Sequence, residues 1–238
     1  MTNTTTEAAQ VRAARLAGAM FLFINAIGIF SEIIVRGSLL SGDITQVAQN
    51  IISSERLYRL SIVGDLVMFA GGLVLIWALY VLLRPVNRDL ALLAVFFRIV
   101  ETAVSVAATL ASLIAVRLLS SAEYLKVFEA DELHVLSRLA RNAFGFGQDV
   151  GFIFFALGST VFAYLLLRSR YVPLILAGWG VFASLLFTVY NLVIIVFPGA
   201  VETLMYVSFA PIGIYEITLG FWLLLKGAKI QGSSASVA

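Results

Sequence analysis

The chain has 238 residues, of which 61% are hydrophobic and 13% charged, against roughly 45–50% and about 25% in soluble proteins. A mean hydropathy of +1.00 cannot be hidden in a core of this size, because much of a soluble domain's surface faces water. The net charge is only +2, there is no cysteine and there is one histidine; a soluble enzyme, a disordered chain, a nucleic-acid binder and a disulfide scaffold are excluded.

A spanning helix needs about 20 largely apolar residues. Taken in chain order, Leu16–Val35, Leu60–Leu83, Leu90–Val116, Ala143–Leu167, Val172–Phe197 and Leu204–Leu225 meet that length. In lipid the backbone must satisfy its own hydrogen bonds, so each is predicted to be a helix. The expected fold is a single all-α transmembrane domain over 1–238, a six-helix bundle with two outer amphipathic segments. Arg12 and Arg15 before the first run imitate a signal peptide. The run continues to Val35 without a small-residue cleavage pattern, so it reads as a retained helix.

The first outer connection, Asp43 to Arg56, puts Ile44, Val47, Ala48 and Ile51 on one face, with Asp43 and Gln46 at capping-box spacing. It is expected to lie flat at the interface. Ser120–Leu139 repeats the pattern, with Ser120 and Glu123 as its cap pair, and the tail from Gly232 reads as a loose end. Basic pairs mark each junction on the other side: Arg12 and Arg15, Arg84 and Arg88, Arg168 and Arg170, Lys226 and Lys229. That spacing puts both termini in the cytoplasm of a multi-pass cell (plasma or inner) membrane protein.

Helices two and four look related, because Asp65, Tyr80, Leu82, Leu83 and Arg84 recur 84 positions later as Asp149, Tyr164, Leu166, Leu167 and Arg168. Helix ends commonly carry Tyr, Leu and Arg; only the aspartates resist that explanation. Each lies 19 residues from its arginine, roughly 28 Å of helix and near the outer edge of the hydrocarbon. Glu32 has a similar depth, and Asn191 ends a polar stripe with Ser184 and Thr188. Asp65, Asp149, Glu32 and Asn191 are therefore the candidates for an outer cavity.

A central set is deeper. Asn25, Arg98 and Glu216 each lie ten residues from a basic anchor, roughly 15 Å in and close to the midplane. Glu101 shares a face with Arg98, and the face continues outward through Ser105, Thr109 and Ser112. Charges at that depth cost a few kcal/mol each and should face the interior and pair, which suggests Arg98 bridging Glu101 and Glu216. Pro211, five residues before Glu216, is placed to loosen the helix there. Two readings stay open: polar faces that pack helices together, and an outward-opening polar cavity.

His134 reads as an interfacial surface residue, and without cysteine no metal or cofactor is expected. Ser159 and Ser184 have no visible His or Lys partner, so no catalytic residue is assigned.

Several longer stretches carry a family resemblance: Gly42-Asp43 with Asn50-Ile51 and Arg59, then LLRPVNRDLALLAVFFRIVE at Leu82–Glu101 and FFALGSTVFAYLLLRSRYVP at Phe154–Pro173. The chain resembles an uncharacterised prokaryotic integral membrane family, domain of unknown function 4386. The resemblance implies a multi-helix membrane protein and no established activity. Function is expected to be non-enzymatic binding or transport of a lipid-like or small anionic ligand, with membrane lipids as partners and no nucleic acid. The alternatives are a structural or interaction subunit, and an enzyme acting on a lipid-like substrate through Asp65 and Asp149.

Overall fold

The computed structural model describes residues 2–120 and 126–230, and among these every regular element is helical. α1 (Thr2–Gly28) runs on through a π-helical stretch, Ile29–Arg36, and a closing turn, Gly37–Leu39. Then follow α2 (Ile44–Ser53), α3 (Glu55–Leu83), α4 (Arg88–Leu118), α5 (Ala130–Ser169), α6 (Leu174–Val196), a 3-10 turn at Pro198–Ala200 and α7 (Val201–Leu225). Six stretches are long and apolar enough to cross a membrane: Glu7–Leu39, Glu55–Leu83, Arg88–Leu118, Ala130–Ser169, Leu174–Val196 and Val207–Leu225. They coincide with the six predicted spans, which makes this a polytopic all-α membrane protein.

The differences lie at the ends. α2 is capped as expected, the Asp43 carboxylate accepting from the Gln46 N–H at 2.8 Å. Gly42, at φ +107°, supplies the left-handed turn that brings the chain into that cap. The apolar face of α2 is covered by protein rather than lipid: Val47 and Ile51 pack with Val35, Leu39, Tyr58, Ile62 and Val116. Burying each such side chain is worth about 1.5–3 kcal/mol relative to water.

The second outer segment is not a separate interfacial helix. From Ala130 the chain is already in α5, whose 40 residues continue unbroken into the membrane span. Its start is marked by the Glu132 carboxylate, which accepts from the Glu129 N–H at 3.0 Å, as the third residue of a capping box does. The Ser137 hydroxyl then donates to the Ala115 carbonyl of α4 at 3.0 Å. Glu123 of the expected cap pair and the tail from Gly232 lie outside the described residues.

The chain forms two compact units, each assembled from several segments. The first comprises Met1–Asn25, Gly71–Thr102 and Gly151–Ala238 and contains all the paired basic anchors. In it α1 meets α7 closely: a Cβ on Gly18 would lie 2.7 Å from the Gly220 carbonyl oxygen, a small-residue approach of the kind that packs membrane helices. Phe152 and Phe155 of α5, Phe187 and Tyr190 of α6 and Phe209 of α7 form an aromatic cluster, the Phe187 and Phe209 rings 4.7 Å apart and edge to face. Gln10 ties the first helix down, donating to the Leu82 carbonyl at 3.0 Å and the Tyr171 hydroxyl at 3.2 Å. The second unit comprises Ala26–Ala70 and Ala103–Val150.

Candidate functional site

The central set assembles in the first unit. Three residues apart on α4, Arg98 and Glu101 share a face; they are 6% and 7% exposed, and Arg98 Nε lies 3.7 Å from Glu101 Oε2. Thr102 helps to hold the carboxylate, its hydroxyl 3.2 Å from Oε2 while donating to the Arg98 carbonyl at 2.8 Å. Arg98 Nη1 is 3.4 Å from the Ser159 hydroxyl, and the guanidinium sits 4.1 Å above the Phe155 ring. Gly158 makes the room for this side chain: a Cβ there would lie 2.7 Å from Arg98 Cγ.

Arg98 does not bridge the two glutamates. Glu216 Oε2 instead accepts from Asn25 Nδ2 at 3.2 Å, and that amide also donates to the Phe21 carbonyl at 2.9 Å. Glu216 and Arg98 face each other across a cleft whose polar end is completed by Ser159 and Tyr215. Leu75, Leu79, Phe162, Leu166 and Leu219 line the rest. These residues lie on the basic-anchor side of Arg98 in their helices, not along the outward stripe. On that stripe the Thr109 hydroxyl is occupied by its own helix, donating to the Ser105 carbonyl at 2.9 Å. The free space in the cleft is about 20 Å³, room for a water molecule and little else.

Charge-assisted bonds from guanidinium to carboxylate are ordinarily about 2.7–2.9 Å. Arg98's polar contacts, at 3.4 and 3.7 Å, are long, so its donors are engaged loosely. It is a buried cation beside two carboxyl groups, presenting hydrogen-bond donors to a mostly apolar cleft.

The outer candidates are divided between the two units, Asn191 in the first and Glu32, Asp65 and Asp149 in the second. Glu32 and Asp65 belong to the second unit and both engage Arg36, a residue that the sequence did not single out. Arg36 and Asp65 are 4% and 1% exposed. The guanidinium grips both carboxylate oxygens, Nη2 on Oδ2 and Nη1 on Oδ1 at 3.2 Å, while Nη1 also pairs with Glu32 and the Phe144 ring lies 4.9 Å away. The π-helical stretch ends at this arginine: the Gly37 N–H bonds to the Glu32 carbonyl five residues back, a wider turn than an α-helix makes. The only signal in the sequence is the Glu32–Arg36 spacing.

Asp149 has no hydrogen bond or ion pair among the described residues, so the proposed repeat gives its two aspartates different surroundings. Asp65 itself is held on both oxygens by Arg36. Asn191 belongs to the first unit, buried on α6, its Nδ2 donating to the Phe187 carbonyl at 2.7 Å and its Oδ1 without a partner. His134 is partly buried, 4.0 Å from Asp131.

Comparison with known proteins places the chain among proteins without an assigned activity. The family described as Domain of unknown function (DUF4386) matches residues 16–227. A protein of Archaeoglobus fulgidus, described as uncharacterized, is 30% identical over 172 residues, covering 72% of this chain and 86% of its own length. No solved structure matches.

Proposed function

Since the chain belongs to the DUF4386 family, whose description assigns no activity, we propose from its chemistry that it is a non-enzymatic binding or transport module. Its site is the cleft at Arg98, Glu101, Glu216 and Asn25, and its ligand is a lipid-like or small anionic molecule. The loosely engaged guanidinium carries this reading. A buried arginine at membrane depth is costly unless its donors are used, and Arg98 keeps donors for an acceptor such as a carboxylate or a headgroup. The leucine-lined remainder of the cleft suits an acyl chain. Either carboxyl can take up a proton, whereas the guanidinium cannot give one up, so binding coupled to proton movement has its groups in place. The cleft is closed down in this conformation, and ligand entry requires its side chains to part.

The test is retention. The protein is purified in mild detergent and its co-purifying acidic amphiphiles are quantified by mass spectrometry, with Arg98→Met and the anchor variant Arg84→Gln alongside. The proposal expects Arg98→Met to lose them and Arg84→Gln to keep them. Equal content in all three proteins overturns it. The small volume of the cleft favours the second reading, a structural subunit with charges that only fix helix register. That reading predicts equal content together with higher thermal stability of Arg98→Met. Both termini are proposed to be cytoplasmic, supported by the basic pairs at each inner junction.

A further inference from the structure

The four basic pairs that flank the spans, eight cations in all, belong to the first unit. Hydrogen bonds bring together the four segments that carry them. Gln10, two residues before Arg12, donates at 3.0 Å to the carbonyl of Leu82, two residues before Arg84. The same amide donates at 3.2 Å to the hydroxyl of Tyr171, the neighbour of Arg170. The Lys229 N–H adds the chain beyond α7, donating to the Tyr171 carbonyl at 2.9 Å. The start of α1, the α3–α4 turn, the α5–α6 turn and the segment after α7 therefore meet at one end of the unit.

All eight side chains are exposed, and none has a carboxylate in ion-pair range among the described residues. The carboxylates nearest them in sequence are Glu7 and Asp89 alone, too few to neutralise the group. Arg170 adds a second sign. It stands just past α5 at φ +56°, a helix-ending position where glycine is the economical residue. An arginine kept in that conformation points to a use for its side chain.

The spans end at Leu83, Ser169 and Leu225, so Arg84, Arg170 and Lys226 stand just beyond the hydrocarbon, at headgroup depth. Six of the eight cations are arginines, whose planar forks match phosphate oxygens two at a time. A small free anion would need enclosed donors, and these are open. A layer of anionic headgroups supplies many phosphates spread over an area, which is what this surface complements.

We propose that this end of the first unit is a docking surface for the headgroups of anionic phospholipids, centred on Arg168, Arg170, Lys226 and Lys229. It is separate from the Arg98 cleft: headgroups held here exchange with the surrounding bilayer and are screened by salt, whereas a ligand at Arg98 is enclosed.

The full chain is reconstituted in phosphatidylcholine vesicles with a trace of spin-labelled lipid. The motionally restricted fraction of labelled phosphatidylglycerol is compared with that of labelled phosphatidylcholine. The wild type is expected to prefer phosphatidylglycerol severalfold, and the preference to shrink as salt rises from about 20 mM to about 0.5 M. The quadruple variant Arg168→Gln, Arg170→Gln, Lys226→Gln, Lys229→Gln is expected to lose it, since each cation at an anionic headgroup layer is worth up to about fivefold. Arg170→Gly suits the backbone, so it is expected to reduce the preference at unchanged Tm. Arg56→Gln with Arg138→Gln, two exposed arginines of the second unit, is expected to keep it, as is Arg98→Met. No preference in the wild type, which would leave the cations to an acidic protein surface, overturns the proposal; so does an undiminished preference in the quadruple variant and Arg170→Gly. Neither result bears on the Arg98 cleft, whose ligand is read in Arg98→Met.

Discussion

Cutting the Arg36–Asp65 pair is the sharpest test of what holds the second unit together. Both side chains are almost wholly buried and the grip is two-pronged. At 3.2 Å and an effective dielectric of about 20, two unit charges attract by about 5 kcal/mol, a gross figure before desolvation. Asp65→Leu leaves the guanidinium buried with Glu32, 52% exposed, as its remaining counter-charge. Breaking a buried pair on one side costs about 3–5 kcal/mol; because Glu32 stays, the lower end applies, a fall in Tm on the order of 10 °C. Arg36→Met costs less, since the carboxyls left behind can neutralise by protonation and the arginine cannot. The double variant Arg36→Met, Asp65→Leu replaces the pair by apolar groups and should recover most of the loss. Thermal unfolding of the four proteins in one detergent, followed by size-exclusion fluorescence, closes the cycle. Additive losses in the double variant, or an Asp65→Leu protein as stable as the wild type, would refute the reasoning.

Gly18→Ala pushes a methyl towards the Gly220 carbonyl and should cost about 1–3 kcal/mol, read in the same thermal assay. Asp149→Asn should leave the stability within about 0.5 kcal/mol of the wild type, unlike Asp65→Leu, because no partner is lost; an equal fall in both revives the repeat as a functional pair. Gly158→Ala displaces the Arg98 stem, and the co-purifying amphiphile should fall while expression holds. Reporter fusions at Val86 and Ala130 should report opposite sides of the membrane, with Val86 inside; an external signal at Val86 reverses the orientation.

Hydrophobic length alone was enough to count the spans, because lipid leaves the backbone no option but to satisfy itself. The Asp43–Gln46 cap was legible for a local reason: the whole signal lies within four residues. Ala130–Leu139 misled, since an amphipathic start looks the same whether it lies on the membrane or opens a longer helix. Depth counted from basic anchors brought Arg98, Glu101, Glu216 and Asn25 to one region, but could not say which donor meets which acceptor. That is decided by side-chain directions on three helices, and Asn25 took the place beside Glu216 that Arg98 had been expected to fill. Arg36 was missed because an arginine at the end of an apolar run ordinarily reaches for the surface. A π-helical turn has no counterpart in hydrophobic periodicity. The outward stripe of Ser105, Thr109 and Ser112 suggested a polar path, yet hydroxyls in helices readily bond to their own carbonyls, as Thr109 does.

The most direct measurement is a high-resolution structure of the protein in nanodiscs of its native lipids, inspected at Arg98. The account predicts density for a non-protein acceptor within about 3 Å of the guanidinium nitrogens, with an acyl-like tail along Leu75, Leu79 and Leu166. A dry site, in which Arg98 closes onto Glu101 and Glu216 at about 2.7–2.9 Å and no foreign density enters the cleft, would contradict it.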